Sequence, residues 1–230
     1  MVSRIIKVCG REDWGGAVSQ AAGVILSGAV VALPTESFYG LAVDATNEQA
    51  VRRLLRIKKR RETHPILLLI ASRDMLQTLV KEVPGSAWRL MDAFWPGGLT
   101  LVFKAGPGVS PLLTGGGDKI GIRLSSHPIP TELARAAGVP VTGTSANLTG
   151  QPPCKDAEAV LVSLGDEIDL LLDGGKTPGG KGSTVLDVTA EPPVILREGM
   201  VGRDQLGSFA VGTRDIVQRE DWQNEYCNES

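Results

Sequence analysis

Gly28-Ala29-Val30-Val31-Ala32-Leu33 is an unbroken apolar run that stops at Pro34. It reads as a short buried strand, because a strand enclosed on both faces has no polar side to alternate with. Helical patterning precedes it over Asp13–Ser27 and follows it over Asn47–Lys59. Pro65–Ala71 (PILLLIA) repeats the apolar run, with Ser72 as N-cap of a helix over Ser72–Glu82. Further strands are predicted at Gly98–Phe103, Ile120–Leu124, Val139–Gly143, Leu170–Asp173, Thr184–Val188 and Val194–Arg197. Further helices are predicted at Gly85–Phe94, Ile129–Ala137 and Lys155–Leu164. Both kinds of element mingle from end to end, so the class is α/β, with a twisted, open mixed sheet and flanking helices. Residues 1–212 read as one domain without internal repeats, and the polar, aperiodic stretch 213–230 reads as a tail.

Composition narrows the function. Hydrophobic residues make up 42% and charged residues 22% of 230, ordinary values for a chain long enough to bury a core. A net charge of −2 is unlike that of a protein that coats nucleic acid, so any anion site has to be local. The three cysteines, Cys9, Cys154 and Cys227, lack metal-ligand spacing, and the two histidines, His64 and His127, cannot complete a zinc site. An odd, sparse cysteine count argues against a secreted disulfide framework. Met1–Cys9 has no apolar h-region, so no signal peptide is expected. No run approaches the ~20 apolar residues that cross a bilayer, so the expectation is a cytoplasmic protein with no membrane partner.

Three local features carry chemistry. Arg52–Arg61 holds seven basic residues and no acidic one. A solvated helix face accounts for Arg52, Arg53 and Arg56. Lys58 is different: the apolar stripe Val51, Leu54, Leu55 extends by helical spacing onto it, which points it inward with Arg60 just beyond. The second feature, Pro34-Thr35-Glu36-Ser37-Phe38-Tyr39-Gly40-Leu41, follows the first strand and reads as a ligand rim or simply a capped turn. The third, Gly143-Thr144-Ser145-Ala146-Asn147-Leu148-Thr149-Gly150, also ends a strand; its side chains and amides can cradle phosphate oxygens, or form a Ser/Asn turn. The glycine-rich segment Gly174–Ser183 carries two lysines but lacks the Gly-x4-Gly-Lys-Ser/Thr order of a phosphate loop.

Together these stretches resemble the YrdC-like family of threonylcarbamoyl-AMP synthases. The resemblance rests on PTESFYGLAVDA (Pro34–Ala45), LLRIKKR (Leu54–Arg60), HPILLLI (His64–Ile70), FWPGGLTLVF (Phe94–Phe103), IGIRLSSHP (Ile120–Pro128), TSANLTGQP (Thr144–Pro152), GSTVLDV (Gly182–Val188) and ILREG (Ile195–Gly199), which run in the family's order. It implies a single-domain fold with a concave basic cleft. The Lys-x-Arg pair falls on Lys58 and Arg60 and the Ser-x-Asn pair on Ser145 and Asn147, all expected around nucleotide phosphates. Thr35 and Tyr39 are expected near the amino-acid substrate, Thr144 among the substrate-binding residues, Arg123 and Arg197 at the acyl-adenylate or its phosphates, and Ser183 at either pocket. His64 is placed nearby, although a plain loop histidine reads as well. Three departures stand out: Arg61 replaces the proline usual after Lys-x-Arg, Ser37 replaces a commoner threonine, and FWPGG replaces FWPGP. Longer members add a C-terminal domain, for which 230 residues are expected to leave no room.

The resemblance implies a reaction of L-threonine, bicarbonate or CO2, and ATP with Mg2+ that yields threonylcarbamoyl-adenylate and pyrophosphate. The product would pass to a tRNA threonylcarbamoyl transferase that makes threonylcarbamoyladenosine. The other readings are a catalytically silent RNA- or nucleotide-binding module, with weak RNA contact through Arg52–Arg61, and a carbamoyl-transfer domain of a longer protein.

Overall fold

A computed structural model describes residues 4–8 and 11–209; the predicted tail lies outside the described residues. In chain order the strands are β1 (Arg4–Lys7), β2 (Val31–Pro34), β3 (Tyr39–Ala42), β4 (Leu68–Leu69), β5 (Leu99–Lys104), β6 (Lys119–Arg123), β7 (Val141–Thr142), β8 (Thr144–Ser145), β9 (Leu170–Asp173), β10 (Thr184–Asp187) and β11 (Val194–Arg197). The helices are α1 (Arg11–Leu26), α2 (Glu48–Ile57), α3 (Arg73–Leu79), α4 (Gly85–Phe94), α5 (Pro111–Thr114), α6 (Pro128–Ala137), α7 (Ala157–Leu164) and α8 (Arg203–Gly207).

The strands form two mixed sheets, ordered β1-β9-β2-β3-β8 and β11-β10-β5-β6-β4-β7. The α/β class stands, with two sheets where the apolar runs suggested one. Hydrophobic pattern records burial, not pairing partners. The chain passes from one sheet to the other at Gly143, between β7 and β8. A Cβ there would sit 2.6 Å from Leu67 and 2.7 Å from Leu69, so only glycine admits their side chains. The sheets are stitched at this point, since Thr142 N donates to Val43 O (3.0 Å) and Val43 N donates to Thr142 Oγ1 (3.1 Å).

The opening apolar run explains itself in β2. Val30 and Ala32 pack into one core, which also takes Leu41, Leu54 and Leu101. Val31 and Leu33 turn to a second core under α1 and α6, with Ala21, Ile25 and Leu133. Alternation is present, but both faces are apolar. Pro65–Ala71 is paired over only two residues because its ends bond irregularly: Ile66 N donates to Leu113 O (2.9 Å) and Ile70 N to Arg123 O (3.1 Å).

α2 shows the full grammar of a helix. Asn47 Oδ1 caps it, accepting from Gln49 N (3.0 Å) and Ala50 N (3.1 Å). Its inward face is Ala50, Val51, Leu54, Leu55 and Ile57. It ends in a Schellman turn, with Arg60 N on Leu55 O (2.9 Å) and Lys59 N on Arg56 O (3.0 Å). Lys59 takes the left-handed position at φ 51°, where glycine is usual. The outward arginines are largely answered: Arg52 pairs with Glu62 at 2.9 Å and Arg53 with Asp169 at 2.5 Å.

Candidate active site

β2 and β3 form an antiparallel hairpin with Pro34 opposite Tyr39. Residues 35–38 close it, with Thr35 N (3.1 Å) and Oγ1 (2.7 Å) both donating to Phe38 O, and Ser37 N donating to Thr35 Oγ1 (3.3 Å). The motif is thus a capped turn and a rim at once. β8 pairs antiparallel with β3, setting Ser145 opposite Gly40 and Thr144 opposite Leu41. The second and third motifs therefore meet across one ladder.

Between the diverging sheets lies a cavity of about 360 Å³. Its apolar floor is Leu33, Leu41, Leu67 and Leu69. Eight of the expected residues line it: Thr35 and Tyr39 from the hairpin, Arg123 at the end of β6, Thr144, Ser145 and Asn147 from the β8 segment, Ser183 before β10, and Arg197 at the end of β11. Asn147 donates through Nδ2 to Leu148 O (2.9 Å) and Gln151 O (2.5 Å), while its buried Oδ1 has no acceptor role among the described residues. Arg197 clamps Ser183, donating from Nη2 to its carbonyl (2.5 Å) and hydroxyl (3.1 Å). The Ser183 hydroxyl also meets Thr100 Oγ1 at 2.8 Å.

The Tyr39 hydroxyl is committed to the glycine-rich loop, donating to Gly175 O (2.7 Å) and accepting from Gly174 N (3.2 Å). Burial pushes its pKa up to about 12, so it stays a neutral donor. The same loop is tied by Gly179 N to Ser37 O (2.7 Å) and by Thr177 N to Lys155 O (2.8 Å).

Lys58 leaves α2 inward, 2% exposed. Its ammonium donates to Ser145 O (2.5 Å) and Asn147 O (2.9 Å), bracing the back of the phosphate-cradle candidate. Burial, with Arg60 nearby, brings its pKa down to about 7. Arg60 is also buried and donates to His64 O (3.4 Å) and Pro65 O. Lys58, Arg60 and His64 stand behind the lining rather than in it. Lys58, held by the carbonyls of two lining residues, braces that part of the wall, whereas Arg60 is held by carbonyls of residues outside the lining.

Two contributors carried no role in the sequence reading. Glu36, inside the hairpin turn, ion-pairs with Arg123, and both side chains are under a tenth exposed. Its second oxygen accepts from Ser125 Oγ at 2.5 Å. The signal was a lone acid in an apolar motif. Lys181, on the glycine-rich loop, lines the cavity. No group of three His, Cys, Asp or Glu side chains among the described residues could hold a metal ion.

Comparison with known proteins places the chain in a family. The Sua5/YciO/YrdC family model, described as "Telomere recombination", matches residues 23–199. A threonylcarbamoyl-AMP synthase of Pyrococcus abyssi (strain GE5 / Orsay) is 40% identical over 188 residues, 82% of this chain and 55% of that protein. One of Bacillus subtilis (strain 168) is 38% identical over 190 residues, with the same shares. The chain thus spans about half the length of these relatives. The crystal structure of P. abyssi Sua5 complexed with L-threonine superposes with a TM-score of 0.88 at 36% identity, covering 91% of this chain and 63% of that one. Matched over most of its length in sequence and in three dimensions, this chain belongs to the Sua5/YciO/YrdC family.

Proposed function

We propose that the chain is a threonylcarbamoyl-AMP synthase, a nucleotidyltransferase that joins L-threonine, bicarbonate or CO2, and ATP. The observation that carries this reading is the convergence of Thr35, Arg123, Ser145, Asn147, Ser183 and Arg197, from distant stretches, on one cavity with an apolar floor and a cationic rim. The threonine amine takes up CO2 to give a carbamate and a proton. A carbamate oxygen then attacks the α-phosphorus of ATP, a P–O bond forms, and pyrophosphate leaves with the electron pair. No protein nucleophile is needed, so the chain's part is positioning and charge stabilisation.

Arg123, with Thr35 and Ser183, would hold the amino acid. Arg197 and the Ser145–Asn147 turn would hold phosphate oxygens, with Lys58 bracing the carbonyls of that turn, its charge present below its pKa of about 7, and Arg60 adding fixed positive charge nearby. Mg2+ suits this site as a counter-ion carried on the triphosphate, since that ion keeps several waters and takes few protein ligands; it would neutralise phosphate charge. Enclosure matters because free carbamates lose CO2 in water. Downstream, a tRNA threonylcarbamoyl transferase would consume the adenylate, in the cytoplasm.

The test is mass spectrometry on purified protein with ATP, Mg2+, bicarbonate and L-threonine, omitting each in turn and following pyrophosphate. A threonylcarbamoyl-adenylate peak that needs all the substrates is expected. Folded protein that yields neither product would overturn the reading.

A further inference from the structure

Thr100 is the one hydroxyl in the apolar run of β5, Leu99–Phe103, and it is fully buried. Valine has nearly the same shape and no polar atom to desolvate, so a hydroxyl at this position calls for a partner. Among the described residues it has a single one, Ser183 Oγ at 2.8 Å. Parallel pairing of β5 with β10 sets Thr100 opposite Val185, two residues beyond Ser183, and so brings the two hydroxyls together.

Counting protons gives that bond a direction. Ser183 Oγ also receives Arg197 Nη2 at 3.1 Å, and a guanidinium only donates. If Ser183 donated to Thr100, the Thr100 proton would be buried with no acceptor among the described residues. Thr100 therefore donates. Ser183 Oγ then accepts twice, which fills both lone pairs and leaves its own proton over. No described residue accepts that proton. Ser183 lines the cavity, whereas Thr100 does not. A hydroxyl that could otherwise face a ligand as donor or acceptor is thus wired as a donor, and its counterpart is a ligand oxygen rather than an amine or hydroxyl proton. We infer that Thr100 is a positioning residue of the site: by donating to Ser183 Oγ, it commits that hydroxyl to donate to an anionic ligand oxygen, a carboxylate or a phosphoryl oxygen. This rests on the synthase reading proposed above, whose substrates carry both kinds of oxygen.

The test is isothermal titration of the full chain with L-threonine and with Mg2+-ATP. It compares wild type, Thr100→Val, Thr100→Ser, Ser183→Ala and the Thr100→Val/Ser183→Ala double variant, each checked for folding by thermal unfolding. Thr100→Val keeps the shape and removes the donor, so about five- to tenfold weaker binding is expected for the ligand that supplies the oxygen. That ligand is L-threonine if the oxygen is a carboxylate's and Mg2+-ATP if it is a phosphoryl oxygen. Thr100→Ser keeps the donor and should bind as wild type does. In the Ser183→Ala background Thr100→Val should weaken binding no further, because its effect passes through the serine hydroxyl; an effect of packing alone would persist there. Should Thr100→Val not fold, Thr100→Ala against Thr100→Ser reads the same donor. Wild-type affinity for both ligands in folded Thr100→Val would overturn the inference while leaving the synthase reading intact. A Thr100→Ser protein as weak as Thr100→Val, or an undiminished loss in the Ser183→Ala background, would do the same. Folded wild type that binds neither ligand would overturn both.

Discussion

Replacing Glu36 with glutamine removes one charge and almost no volume. The Arg123 guanidinium then keeps its charge, 7% exposed, with its carboxylate partner gone and with Nε already lacking an acceptor among the described residues. Breaking a buried pair from one side costs about 3–5 kcal/mol, and the lower end applies here, about 3, because the cavity admits water to one side of the arginine. For a domain of this size that is a drop in Tm of about 6–12 °C. Ser125 retains an acceptor in the glutamine oxygen, so the loss reports the charge. Arg123→Met alone strands the Glu36 carboxylate in the same way, and the double replacement removes both charges together. A thermal-unfolding cycle at pH 7.5 should therefore show the double variant more stable than either single one, which with single losses of about 3 kcal/mol means a coupling above ~3 kcal/mol. Single losses that simply add, or a Glu36→Gln protein unfolding within ~2 °C of wild type, would refute the view that Glu36 neutralises Arg123.

Lys58 sets a pH signature. Folded, it gives up its proton near pH 7; unfolded, it holds it to about 10.5. The folded state thus binds fewer protons between those values, and stability rises with pH across the window by up to ~1.4 kcal/mol per unit. Urea midpoints at pH 7.0 and 8.5 should rise in wild type and stay flatter in Lys58→Met; parallel slopes would contradict this. Lys59→Gly relieves a left-handed lysine at φ 51° and should stabilise the fold by about 1 kcal/mol in urea, a gain that an unchanged midpoint would disprove. Trp95→Ala empties a site 6% exposed and strands Leu99 O, the partner of its indole N–H at 2.6 Å, so a loss of about 3–5 kcal/mol is expected by the same assay.

Much of the fold could be read because burial leaves a mark on composition. Gly85–Phe94 and Leu170–Asp173 lie where helical and apolar patterning put them, and Asn47 and Ser72 cap the helices they were expected to start. Pairing leaves no such mark. Tyr39–Ala42 read as a rim and is a strand, since its apolar residues face two cores and its glycine hides the period. Val139–Gly143 read as one strand; its Val141–Thr142 is β7, and Gly143 is where the chain passes to the other sheet. At the site, the inward turn of Lys58 followed from the stripe of Val51, Leu54 and Leu55. Its engagement with Ser145 and Asn147 carbonyls did not, because the partners lie 87 and 89 residues away. Glu36 and Lys181 went unassigned for the same reason: a lone charge acquires meaning only when its neighbours in space are known.

The order of the first sheet places β9 between β1 and β2, with Arg4 beside Leu170 on one side and Val31 beside Leu170 on the other. β1 and β2 are therefore held apart for a strand made only after β8. At about 5–20 residues per second, a ribosome spends roughly 7–28 s between β2 and the arrival of β9. Throughout that interval β2 lacks its parallel neighbour and presents an apolar edge on which strands of other chains can template.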